Sequence, residues 1–377
     1  NIAIGLGALD AEDVGNGSVA IGYNALTAQN SNQSGGFYGT DSNMNVAVGY
    51  NCGAAITSGQ WNVAMGSHAL TAEVTGDAST AVGTFALYSQ TGIDGFASNT
   101  ALGYWAGKAL TTGTKNVFIG KGAADATTDV DKSVIIGYNA AGANMTSAAD
   151  GTVMIGANAG EANTVGAGNV GVGQDALKTN VDGGKNTAIG SGALETMEPG
   201  SEGHGRNTAV GYDAGTAVTT GIENTLIGGD AGLALAGGSN NVFIGASAGK
   251  ATTAAGDVVA IGECAGSGVL TTGANGSVFI GHNAGKANTE GARNVAIGKD
   301  ALLTNVDGDF NTAIGYNALK TFEAGSNGEG ENTAVGYQAL TALTVGVGNT
   351  AVGSGALDTE TVGDFNTAVG ADALTAQ

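Results

Sequence analysis

The chain is poor in the residues that usually betray chemistry or fold. Among 377 residues there is one proline, Pro199, and there are two cysteines, three histidines and 5% aromatic side chains. Lysine and arginine together supply 12 residues against 33 acidic ones, a formal charge of -21, which argues against nucleic acid or an anionic membrane as partner, since both reward basic patches. No apolar run reaches the ~18 residues of a membrane-spanning helix, so no membrane insertion is expected in this segment. The two cysteines, Cys52 and Cys264, lie twelve repeats apart in the array described below. Stacked at ~4.8 Å per repeat they would sit too far apart for a disulfide within one chain. His68, His204 and His282 have no cysteine or histidine cluster beside them, and nothing has zinc-ligand spacing.

What the chain has instead is repetition. NTAVGYQALTALTVGVG from Asn332 is followed directly by NTAVGSGALDTETVGDF from Asn349, and this 17-residue pattern runs through all 377 residues as 21 repeats, each with glycine at its fifth position. Residues 177–190, LKTNVDGGKNTAIG, return as LLTNVDGDFNTAIG at 302–315, so blocks of seven repeats are duplicated. A fixed period of this size signals a solenoid. With 69 glycines but no three-residue glycine period, collagen is excluded, and apolar residues at fixed positions exclude disorder. The expectation is all-β: one elongated parallel β-solenoid over 1–377, about 21 coils of 17 residues, starting and stopping in mid-array as a segment of a longer fibre would.

Positions are counted from the leading residue, which is asparagine in fifteen repeats and serine or threonine in five. Position 2 is Val, Thr or Ile and position 4 is Ile or Val apart from Met65 and Leu102, the composition and alternation of a strand. Position 3 is alanine except for Gly171 and for Phe118, Ile135, Met154, Leu226, Phe243 and Phe279. Because no position of the strand is charged, both faces are expected to be buried. If positions 2 and 4 fill the coil, those six position-3 residues form an outward apolar stripe that a second chain must cover, an oligomer interface; if the faces are reversed, the Val and Ile of positions 2 and 4 are exposed instead and need the same cover.

Position 5 glycine marks a corner, either for positive φ or because the next coil comes too close for a Cβ. Position 8 is alanine except at Cys52, and with position 9 suggests a second strand or extended arm crossing the coil. The asparagines of position 1 admit two readings, a stacked amide ladder or a local turn cap.

The motif NxAxGxxA resembles the NSVAIGxxS repeat of trimeric autotransporter adhesin heads of the YadA type, and tandem NTAIGYNAL units resemble those of phage tail fibres. The resemblance covers the whole chain, though the repeat here is longer than in the adhesin heads. It implies a left-handed parallel β-roll, three parallel chains about a common axis, and attachment to a host or surface. The location it implies is extracellular, on a virion or a cell surface.

Six repeats carry extra residues, those led by Ser18, Ser79, Ser133, Asn186, Val258 and Asn311, and insertions at one edge of a solenoid are where binding collects. The longest, about 28–44, contains Phe37 and Tyr38, and another ends in His204 and Arg206; these four are the candidate recognition residues for a host-surface glycan or protein. Seven of nine tyrosines fall at position 6, where packing along an edge or between chains is expected. The turns Asp182-Gly183-Gly184 and Asp307-Gly308-Asp309 offer carboxylates to calcium but lack the GGxGxDx nonapeptide of calcium β-rolls, and no other cofactor is implied. Nothing resembles a hydrolytic triad, and an enzyme is not expected. Two functions compete: a structural and adhesive fibre segment, and a subunit of a self-assembling extracellular filament.

Overall fold

The computed structural model describes residues 1–12, 15–30, 43–91, 94–198, 205–324 and 328–375. The chain is all-β, a parallel β-solenoid of about 20 turns spaced by ~17 residues, with 2% helix. Two compact units carry the coils, one built on Asn1–Asn186 and one beginning at Thr187. Both follow the same coil plan.

Each coil contributes one three-residue strand from positions 2 to 4, as in Val63–Met65, which pairs in parallel and in register with Val46–Val48 before it and Thr80–Val82 after it. The next residue is the invariant glycine, with φ between +126° and +144° along the column. At Gly298 a Cβ would lie 2.5 Å from the Gly315 carbonyl oxygen of the following coil. Both reasons given for glycine therefore apply at once, positive φ and a neighbouring backbone.

The second strand expected at positions 8 and 9 is absent from the described coils. Positions 6 to 11 form a run of turns, and a coil holds three left-handed residues, for example His68 (φ 58°), Leu70 (φ 51°) and Ala78 (φ 59°). The turns are nevertheless tied coil to coil, with Leu70 N–H donating to Ala86 O at 3.0 Å and Ala78 N–H to Gln60 O at 2.9 Å. Repetition supplies partners that a single irregular turn would lack.

The face assignment is the reverse of the expectation. Position 3 points into the coil, and Phe118, Ile135, Met154, Leu226, Phe243 and Phe279 are all fully buried within one chain, so they are core residues and not an outward interface. Positions 2 and 4 look outward and are half-buried to exposed, as at Met65 (42%) and Ile189 (41%). The reason is cross-section. One inward residue per strand, with positions 8, 9 and 12 from the turns and the asparagine of position 1, fills so narrow a coil.

In several coils positions 3 and 9 exchange volume within that interior. Ala81 faces a coil with Leu87, whereas Phe243 and Phe279 occur with Gly249 and Gly285, where a Cβ would meet the ring at 2.5 and 2.2 Å. Close-packed interiors require such exchanges.

Three of the six insertions contain a regular element among their described residues. Two close with single-turn 3-10 helices, Ser147–Ala149 and Thr272–Ala274, and the third pairs Gly95–Phe96 with Gly76–Asp77.

Candidate functional site

Polar residues in the interior are structural, and their arrangement shows why. The Asn116 backbone N–H donates to Asn99 Oδ1 at 2.9 Å, while Asn116 Nδ2 donates to the same oxygen at 3.1 Å and to the Val130 carbonyl at 2.7 Å. The pattern recurs at Asn224, Asn241, Asn332 and Asn349, while Asn311 keeps the two bonds to Asn294 Oδ1 and turns its third to the Asp309 carbonyl. Ladder and local cap are thus one device, since each amide bonds both to its neighbour and to its own turn. Fully satisfied amides are what a buried position tolerates.

Position 12 adds a second polar column that the repeat pattern conceals. Where position 1 is the short Ser18 or Ser79, a glutamine reaches over from Gln29 or Gln90, and its Oε1 accepts from Asn45 Nδ2 or Asn99 Nδ2 at 2.9 Å. Each glutamine in turn donates to a carboxylate one coil back, Gln29 to Glu12 at 2.8 Å and Gln90 to Glu73 at 2.7 Å. Glu73 is fully buried, and its Oε1 accepts the N–H groups of Val74, Thr75 and Gly76 at 2.9, 3.2 and 2.7 Å. Four donors thus satisfy the Glu73 carboxyl group inside the coil.

Aspartates at position 16 have a similar duty. Asp77, Asp131, Asp309 and Asp364 accept the backbone N–H of Gln60, Thr114, Ala292 and Val347 in the preceding coil at 2.6–2.9 Å. Burial raises the Asp77 carboxyl above its usual range, and the Gln60 N–H opposes this. Asp309, half of one candidate calcium turn, is thereby a backbone acceptor. Among the described residues no three of His, Cys, Asp and Glu gather to hold a metal ion.

Of the four recognition candidates, Phe37, Tyr38 and His204 lie outside the described residues. Arg206 is exposed and pairs with Glu223 at 2.6 Å. Among the described residues no aromatic ring packs against Arg206.

A different surface does gather rings. In the first unit Tyr23 stacks on Tyr50 at 5.2 Å between centroids and 11° between planes, Tyr50 meets His68 at 5.2 Å, and His68 stacks on Phe85 at 5.1 Å and 16°. Tyr88 packs edge-on against Phe85, and the next coil adds Tyr104 stacked on Trp105 at 4.7 Å with Lys108 Nζ 4.3 Å from the Trp105 ring centroid. These side chains occupy positions 6, 7 and 10, on the turn that follows the corner glycine. Tyr23 (45%), Tyr50 (49%) and Tyr104 (42%) stay exposed, so the ladder is a surface and not a core. The tyrosine column was visible in the sequence, but its continuation through His68, Phe85 and Trp105 at position 7 was missed; the shared left-handed turn puts both positions on one side. In the second unit only Tyr316 and Tyr337 stack in this way among the described residues, at 5.4 Å and 13°.

The chain matches no protein-family model and no curated protein.

Proposed function

We propose that this chain is a structural and adhesive fibre segment, working outside the cell on a virion or a cell surface, in assemblies of parallel copies of itself. The observation that carries the reading is the register: strands, corner glycines and amide ladders each lie on their counterparts one coil away, so the residues are spent on repetition. That is how a quasi-one-dimensional scaffold is built.

Association is supported by the outward strand face. No charged residue occupies position 2 or 4 of any coil, although the chain has 45 charged residues, 12 basic and 33 acidic. An uncharged ribbon of Val, Thr and Ile this regular favours cover by another copy. The resemblance to trimeric adhesin heads suggests three chains. Attachment, on this reading, belongs to side chains displayed on the turns and insertions, Arg206 among the described ones.

Two measurements test the two halves. Native mass spectrometry and sedimentation should give an assembly of several chains, and a stable monomer at micromolar concentration would overturn self-association. Fluorescently labelled chain should bind saturably to some member of a panel of bacterial and animal cells; failure on all of them would overturn adhesion and leave a passive spacer.

A further inference from the structure

We infer that the aromatic ladder running from Tyr23 to Trp105 in the first unit is a glycan-binding track, which takes an uncharged β-linked polysaccharide lengthwise. The inference rests on the adhesive reading and gives it a ligand class and a site.

Ring geometry comes first. Centroids 5.1–5.2 Å apart at 11° and 16° are wider than the ~3.5–4.0 Å of atoms in contact, so the stacked rings cover one another only loosely, and Tyr23 and Tyr50 keep 45% and 49% of their surface open. Pyranose rings present flat CH faces, and these pack on open aromatic faces. Spacing agrees as well: the track repeats once per coil, at ~4.8 Å, a step close to that of successive sugars in an extended β-linked chain.

Electrostatics then selects among partners. At positions 6, 7 and 10 of the five coils led by Ser18, Asn45, Asn62, Ser79 and Asn99 there is no acidic residue, in a chain of net charge -21. The same positions of the second unit carry Asp213, Asp230, Glu263 and Asp300. The track is thus a local clearing free of carboxylates and suited to an uncharged polymer.

The same turns carry small hydrogen-bonding groups, Asn24, Asn51, Ser67 and Thr71, with Thr71 Oγ1 donating to the Asn51 carbonyl at 3.0 Å. Ser67 Oγ lies 3.0 Å from His68 Nδ1 and Asn51 Nδ2 lies 3.4 Å from His68 Nε2, so the imidazole is held in the row by both neighbours. Rings beside hydroxyl and amide groups match a sugar, which alternates CH faces with hydroxyls. A purely apolar protein surface would leave those groups unpaired.

The test uses the full chain on insoluble cellulose and chitin and on laminarin, mannan and dextran immobilised on beads. Retention by at least one β-linked polymer is expected, and the variant Tyr50→Ser, Phe85→Ser, Trp105→Ser should lose more than about tenfold of it, whereas Tyr316→Ser with Tyr337→Ser should not. Retention by none of the polymers, or equal retention by the triple variant, overturns the track. If the triple variant fails to fold by circular dichroism, the Trp61→Phe chain makes Trp105 the sole indole. Titration with cello- and chito-oligosaccharides should then shift its fluorescence, and an unchanged spectrum has the same overturning force. Cell attachment that survives loss of the three rings would refute the track while leaving adhesion itself intact.

Discussion

The ring of Phe243 occupies the space that a Cβ on Gly249 would need, with only 2.5 Å between the added carbon and the ring. The pair therefore behaves as one core site shared by two positions. Gly249→Leu alone should destabilise by overpacking, about 1–3 kcal/mol, and Phe243→Ala alone by about 3–5 kcal/mol through the cavity left behind. Together they recreate the Ala81 and Leu87 arrangement, where leucine already accepts φ 47°. A urea double-mutant cycle should show the combination more stable than the sum of the singles by over ~1 kcal/mol.

Asn224 bonds to Asn207 Oδ1, to the Gly238 carbonyl and, through its own Oδ1, to Asn241. Asn224→Asp keeps the acceptor but removes the amide donors, which leaves the Gly238 carbonyl facing a carboxylate. Burial raises that carboxyl's folded pKa above the unfolded one, so the folded variant binds more protons and its stability rises as pH falls. Thermal midpoints measured from pH 7 to pH 4 should converge on those of the parent; a constant gap across the range would refute the argument.

Glu360 has the opposite sign. The N–H groups of Gly363, Val362 and Thr361 lower its pKa beneath the ordinary 4.5, with the Gly363 contribution largest and partial burial opposing. A depressed folded pKa means a contribution present above the unfolded value and lost as pH falls through the folded one. Local hydrogen exchange at residues 361–363 should accelerate as pH falls below about 4.5, after correction for intrinsic exchange rates, and Glu360→Gln should abolish that acceleration.

Burial pushes the Cys52 thiol up to about 12, and its Sγ lies 3.0 Å from the Ala64 carbonyl oxygen. Cys264 is half-exposed. A thiol reagent at pH 8 should therefore modify Cys264 and leave Cys52 untouched until the chain is denatured. Mass spectrometry of digested peptides separates the two, and rapid labelling of Cys52 in the native chain would contradict its placement.

The strand, the corner and the coil were legible because each is a local demand repeated many times: β-branched residues flank the inward position, and only glycine fits beside Gly315. Which face looked inward was not legible, because Val and Ile at positions 2 and 4 read as core by composition alone. The deciding quantity is the width of the interior, and its trace was present in the exchange of Phe243 with Gly249 against Ala81 with Leu87. Glu73 and Gln90 were hidden for another reason. Position 12 also holds Ile56 and Leu110, so the column has no constant chemistry and only the structure brings its polar members into one network. The aromatic track shows the same limit, because its rings alternate between positions 6 and 7.

Within each unit the ladder amides all point one way. Asn116 donates back to Asn99, as Asn62 does to Asn45; in the other unit Asn241 donates back to Asn224 and Asn349 to Asn332. No coil reverses this order among the asparagines so bonded. Parallel side-chain dipoles add where antiparallel ones would cancel. Each stack of coils therefore has an electrical arrow fixed by its sequence direction. Two such stacks laid side by side are not equivalent head-to-head and head-to-tail, and a fibre made from them would have distinguishable ends.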